Sequence, residues 1–214
     1  MTQTTIRPAS TQRDGHIRSR STVYATSQTG GTLTNTNAST PIITGQQFST
    51  PNYDTFEGIV QFDCSAITST QVVSNAVVEV TFGTSSATSD VKLVSISSAV
   101  GATVDTADYV DATTLSGKTV YGTIPAASIV AASTVQVTLT AAGIAAVQTA
   151  VTAGGYFEAM LASANTINAA TPTGDERVRI ESSEHATAGS RPALIVDHVS
   201  RPVLTTHYLN QMAG

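Results

Sequence analysis

Arg177-Val-Arg-Ile-Glu-Ser-Ser-Glu-His-Ala-Thr-Ala-Gly-Ser-Arg-Pro-Ala-Leu-Ile-Val-Asp-His198 is the stretch whose reading decides the fold. Val178 and Ile180 alternate with Arg177, Arg179 and Glu181, the period-2 pattern of a strand with one buried face. Ser182 to Arg191 is rich in Ser, Thr and Gly and suits a turn. Pro192 then introduces a branched apolar run, Ala193 to Val196, which suits a buried strand. These features predict a closing β-hairpin against which the rest of the chain packs.

Working outward, strands predominate. Phe56, Gly58, Val60 and Phe62 alternate with Glu57, Ile59, Gln61 and Asp63, a strand apolar enough to lie between two layers. Val72 to Phe82 predicts a long strand, and Val91 to Ile96, after the Ser/Thr turn Thr84 to Asp90, predicts its hairpin partner. Val120 to Ile124, Ser133 to Thr140 and Tyr156 to Ala162 are further strands. One short helix is expected over Ala141 to Val151, capped by Thr140 and ended by Gly154-Gly155. Residues 1–53 carry weaker periodicity, with short strand signals near Thr4, Val23 and Ile42 and an Arg-rich polar segment between the first two. They read as an N-terminal arm with the first edge strands, residues 54–198 as the body, and residues 199–214 as a tail with a hook around Tyr208 to Met212. The expected fold is all-β: a two-sheet antiparallel β-sandwich, jelly-roll-like, with one short helix and extended terminal arms.

Composition narrows the function classes. Hydrophobic residues make up 41% of the 214 and charged residues 12%, so a core is available but the surface must be covered by neutral polar side chains. Residues 1–53 hold Arg7, Arg13, Arg18 and Arg20 against Asp14, a net of +3, while the remainder carries -8. An acidic body with a weakly basic arm argues against a nucleic-acid partner and suits a meeting of the arm with an acidic protein surface. Cys64 is the single cysteine and reads as a small buried hydrophobe. No apolar run reaches the length of a membrane span, and no apolar segment follows Met1, so neither a membrane nor a secretory route is expected.

Val60-Gln-Phe-Asp-Cys-Ser-Ala-Ile67 is similar to the "RFDLSAI" strand of the DNRLRE-type jelly-roll domains, which are related to carbohydrate-binding modules. Ala76-Val-Val-Glu-Val80 resembles their "A-x-L-x-L" strand, and Val135-Gln-Val-Thr138 with Gly155-Tyr-Phe157 resembles "DVT … NYGF". Ile180-Glu-Ser-Ser-Glu184 and Arg191-Pro-Ala-Leu-Ile-Val196 resemble "FYSSE … PPxLxV". The resemblance covers about two thirds of the chain. Cys64 stands where the family has Leu, and the chain has no Trp. The resemblance implies a surface-display or polysaccharide-binding module, or one of the small proteins of this type found among tailed-bacteriophage structural genes.

Catalytic chemistry finds little purchase. No Gly-x-Ser-x-Gly elbow is present, and His16, His185, His198 and His207 lack ligand spacing and read as surface residues. Glu184 is expected to pair with an arginine such as Arg191 or to cap loop amides. Asp105, Asp108 and Asp111 recur every three residues in a polar stretch and are the candidate ligands of a structural calcium. Tyr109 and Tyr121 are the candidate glycan platform, and Arg7, Arg13, Arg18 and Arg20 the candidate partner-binding set. The expected function is that of a non-enzymatic virion protein of a tailed phage, a capsid decoration (cement) protein or accessory head or tail protein. It would be made in the host cytoplasm and packed as a homo-oligomer, a trimer for instance, on other virion proteins. The alternative is a carbohydrate-binding module used for adhesion or host recognition.

Overall fold

A computed structural model describes residues 1–8, 13–37, 41–96 and 99–201. In chain order the strands are β1 (Thr2–Ile6), β2 (Asp14–Ser21), β3 (Thr32–Asn37), β4 (Ile42–Ser49), β5 (Asn52–Asp63), β6 (Gln71–Thr81), β7 (Val91–Val94), β8 (Val120–Ile124), β9 (Thr134–Thr138), β10 (Tyr156–Ser163), β11 (Val178–Ile180) and β12 (Ala193–Ser200). The helices are α1 (Tyr24–Gln28), α2 (Ala112–Leu115), α3 (Ala141–Ala153) and α4 (Ala164–Ile167). The strands form two antiparallel sheets, the all-β sandwich expected. The smaller runs β1-β12-β6-β9, and the larger runs β11-β4-β5-β10-β7-β8, with β2 on the remaining edge of β5 and β3 beyond it.

The 12-residue β5 is the centre of the larger sheet. One edge pairs with β2 throughout its middle, and the other pairs first with β4 and then with β10. The divergence falls at Gly58, where a Cβ would lie 2.9 Å from Ile42 Cγ2 and 3.3 Å from the Leu161 side chain. Val60 and Phe62 face inward and join Leu93, Phe157 and Leu161 against Val78, Val80, Leu194 and Val196 of the smaller sheet. Ile59 faces outward, with Ile17, Val94 and Met160, into a second core. That core is closed by Val100, Val104, Val110, Ala112 and Leu115 of the segment between β7 and β8. Burial on both faces accounts for apolar residues on both sides of the β5 alternation, Val60 and Phe62 on one and Ile59 on the other.

Glu57, also outward-facing, is fully buried and accepts a hydrogen bond from the Val110 N–H at 3.0 Å, while Glu158 accepts one from Val100 at 3.1 Å. Two carboxylates thus hold the covering segment's backbone. Burial pushes both acids above the usual carboxylate range, Glu57 well above it.

Helix α3 follows its sequence signals. Thr140 accepts from the Gly143 N–H at 3.3 Å, and Gly154 closes the helix in the left-handed conformation at φ 62°. Besides α3 there are three further short α-helices among the described residues rather than a single helix in all.

Three expectations require correction. The opening stretch is not a hairpin: β11 pairs with β4 in the larger sheet, and β12 lies between β1 and β6 in the smaller one. The far side of β11 meets the end of β6 through Gly83 N–H to Arg179 O at 2.9 Å and Glu181 N–H to Thr81 O at 2.8 Å. The stretch therefore seams the two sheets together. Likewise β6 and β7 are consecutive strands in opposite sheets. The third correction concerns residues 1–53, which do not form an arm outside the body. β1 is an edge of the smaller sheet, β2 and β4 flank β5, and Ile6 and Ile17 enter the two cores. Backbone pairing and one buried isoleucine per strand incorporate polar strands that carry little apolar periodicity. At the other end, β12 runs to Ser200, and the proposed hook at 208–212 lies outside the described residues.

Candidate functional site

Strand β2 decides the site. Its alternation sends Ile17 and Ser19 to the outer face of the larger sheet and His16, Arg18 and Arg20 to the inner face. There they meet Asp54 and Phe56 of β5, Thr34 and Thr36 of β3, Ile43 and Gln47 of β4, and Arg177. These residues line a polar groove of about 360 Å³ built wholly from the larger sheet and the residue leading into β11.

The charges in this groove are unevenly satisfied. Arg20 grips the buried carboxylate of Asp54 with Nε at 2.7 Å and Nη2 at 2.8 Å. Arg177 does the same to Asp175 at 2.7 and 2.8 Å and lies over the Phe56 ring at 5.6 Å. Arg18 has only a 4.0 Å approach of Nε to Asp54, beyond hydrogen-bond range, and that Nε is buried without a partner. Nδ1 of His16 is likewise buried and unpartnered. Burial lowers the His16 imidazole to about 4, assisted by the Arg18 and Arg177 charges and opposed by a hydrogen bond to the Pro41 backbone. The ring is neutral at physiological pH.

The four arginines singled out in the sequence separate into two groups. Arg18 and Arg20 share the groove. Arg7 instead donates to the Arg191 carbonyl, and Arg13 donates to Gln61 Oε1 at 2.8 Å and stacks over Tyr156 at 4.0 Å. His16, Asp54, Phe56 and Arg177 were missed. The available signal was the i, i+2, i+4 spacing of His16, Arg18 and Arg20, which shares a face only if the segment is a strand.

The aspartates expected to hold calcium act as caps. Asp105 accepts from Ala107 N–H at 2.7 Å while Asp108 accepts from Asp105 N–H at 2.9 Å, a reciprocal capping box. Asp111 accepts from the Thr113 N–H and hydroxyl at 2.8 and 2.7 Å at the start of α2. Among the described residues no group of three or more His, Cys, Asp or Glu is placed to hold a metal ion. Local amides claim each carboxylate separately, so the three do not converge.

Tyr109 and Tyr121 do not form one platform. The Tyr109 hydroxyl is directed to the Ser27 and Gln28 carbonyls at 3.1 and 2.8 Å, fastening the covering segment to α1. Tyr121 packs 5.6 Å from Phe157 and lines a separate cavity of about 420 Å³ with Tyr156, Phe157 and Glu158.

Other polar residues prove structural. Cys64 is buried, and burial raises its thiol to about 11. His198 is buried too, with Nε2 2.9 Å from Thr4 Oγ1 and Nδ1 3.1 Å from Gln71 Oε1, so it and His16 are not surface histidines. Glu184 takes the hydroxyls of Ser182 and Ser183, each at 2.8 Å, whereas the Arg191 Nε donates to the His185 carbonyl. Ser183 also contacts Asp14 through its N–H at 2.6 Å and its hydroxyl at 2.7 Å, joining the Ser-Ser-Glu motif to β2.

No family model matches the chain, and no curated protein matches it. No helix among the described residues is long and apolar enough to cross a membrane.

Proposed function

We propose that this protein is a non-enzymatic virion component of a tailed phage, a capsid decoration protein or accessory head or tail protein. It works by packing as a homo-oligomer onto neighbouring virion proteins. The observation that carries the reading is the arginine groove, where Arg18 stands without a carboxylate of its own beside the paired Arg20 and Arg177, on a protein of net charge -5. A low-charge surface costs little to desolvate on close packing, and a local cationic patch supplies orientation toward an acidic neighbour. Repetition of the contact over many copies multiplies weak single attachments. The motif segments that resemble DNRLRE-type domains fall on β5, β6, β9, β12 and the start of β10, with Ile180–Glu184 running from the end of β11 into a loop, which favours the same family reading. The test is mass spectrometry of purified virions of the phage that encodes the chain, with sedimentation of added protein on heads or tails lacking it. Stoichiometric presence and saturable rebinding are expected, and absence from the particle refutes the reading.

A second reading, a carbohydrate-binding module, is favoured by the cavity lined by Tyr121, Tyr156, Phe157 and Glu158, which brings aromatic rings and a carboxylate together. Tyr156 is exposed enough to meet a sugar ring. Binding on a glycan array that is lost in Tyr156→Ala would support it, and an array without a binder would remove it.

A further inference from the structure

We infer that the groove at His16, Arg18 and Arg177 receives a side-chain carboxylate from an extended acidic segment of a neighbouring protein. The inference rests on the attachment reading above and specifies the chemistry of the partner.

Two atoms call for a ligand. Arg20 and Arg177 each have a carboxylate of their own in Asp54 and Asp175, but Arg18 makes no side-chain hydrogen bond among the described residues. Its side chain is about one-third exposed and lines the groove, while Nε lies buried without an acceptor. A carboxylate matches that fork with two parallel hydrogen bonds. The second atom is Nδ1 of His16, on a side chain only 7% exposed. The imidazole is kept neutral by burial, and in the tautomer protonated at Nε2 the unpartnered Nδ1 offers a lone pair. The groove thus requires an anionic acceptor and an N–H or O–H donor side by side. A peptide segment carries both, the carboxylate on a side chain and the donor on its backbone.

Two features favour a peptide over a sugar acid. Phe56, the aromatic ring of the groove, is 4% exposed and lies beneath the Arg177 guanidinium, with the His16 ring 5.9 Å away, leaving no open face for a sugar ring. The groove is also bordered by β3, whose Thr34 and Thr36 line it. β3 pairs with β2 alone among the described residues and has neither a charged residue nor a proline in its six positions. Such an edge is open to an added strand.

The experiment titrates the intact protein with acetyl-Thr-Glu-Thr-Glu-Thr-amide, with trigalacturonate and with inorganic phosphate as separate probes, read by amide chemical shifts and calorimetry. Peptide-induced shifts confined to residues 16–20, 34–36, 54–56 and 177 are expected, weakened by 0.5 M NaCl. Arg18→Gln should reduce peptide affinity about tenfold or more, with Arg18→Lys intermediate because an ammonium keeps the charge but not the fork. Gln47→Glu places a carboxylate in the groove and should reduce peptide binding with Arg18 intact, which keeps the test decisive if Arg18→Gln fails to fold. Unaltered affinity in both variants, shifts elsewhere, or binding of trigalacturonate or phosphate without the peptide overturns the inference. Wild-type virion attachment by a folded Arg18→Gln protein also overturns it while leaving the attachment reading standing. Absence of the wild-type chain from virions removes the attachment reading instead.

Discussion

Replacing Asp14 by Asn should stabilise the protein at neutral pH and leave it nearly unchanged in acid. Asp14 is 1% exposed. Its Oδ2 accepts from the Ser183 N–H and its Oδ1 lies 2.7 Å from the Ser183 hydroxyl, which is also 2.8 Å from Glu184 Oε1. That hydroxyl has one proton and cannot donate to two carboxylates. A protonated Asp14 resolves the conflict by donating to Ser183, whose own proton then serves Glu184. Burial, with the Glu184 charge added and against the Ser183 hydrogen bonds, raises Asp14 from its ordinary 3.8 to about 6. Because the folded pKa lies above the unfolded one, the stabilisation from the neutral acid is complete below about pH 4 and lost as pH rises through about 6. At about 1.4 kcal/mol per pKa unit this amounts to about 3 kcal/mol. His16 works in the opposite sense: its lowered pKa gives stability that is complete above pH 6.5 and lost as pH falls through about 4. The wild-type profile therefore mixes two opposed titrations, and the difference between Asp14→Asn and wild type isolates one. Urea unfolding from pH 3.5 to 7.5 should show that difference growing from near zero to about 3 kcal/mol in favour of the variant. A difference independent of pH, or one favouring wild type at pH 7, would refute the shared-proton account.

Three further outcomes follow from the packing. Deletion of residues 1–20 removes β1 and most of β2, with Ile6 and Ile17, so the remainder should lose its cooperative thermal transition rather than persist as a folded body. Gly58→Ala forces a methyl to 2.9 Å from Ile42 and should cost about 2 kcal/mol in urea unfolding, against about 1 kcal/mol or less for Gly154→Ala, where φ is 62° but nothing lies within 4 Å. Leu115→Ala, truncating a fully buried side chain in the outer core, should cost about 3 kcal/mol and raise amide exchange first in residues 99–119.

Legibility in the sequence followed the range of the interaction concerned. Alternation and capping are local, so β5, β6, β9, β10 and α3 could be read directly, and the double-sided burial of β5 showed in Ile59 standing among the polar residues opposite Phe56, Val60 and Phe62. Sheet membership is not local. The connections Phe82–Asp90 and Glu181–Pro192 have Ser/Thr-rich turn character, and alternation alone reads the same whether two successive strands pair or lie in facing sheets. The groove stayed hidden for a related reason. The Arg-rich segment around His16 to Arg20 lacks apolar alternation because its inner face is polar and its outer face contributes only Ile17 to the core.

The stretch from Arg177 to His198 marks the division between the two levels. Its side-chain periods specify a short strand, a polar connection and a buried strand, and those depend only on neighbours along the chain. Assignment of β11 to the larger sheet and β12 to the smaller was decided in three dimensions, where β4, with Thr81 and Gly83 at and just beyond the end of β6, offered β11 its backbone partners and β1 and β6 offered those of β12. Arg177 meets His16 and Arg18 by the same means. Backbone hydrogen bonds accept any sequence, so only the enclosed cores, built from residues far apart in the chain, select one pairing among many.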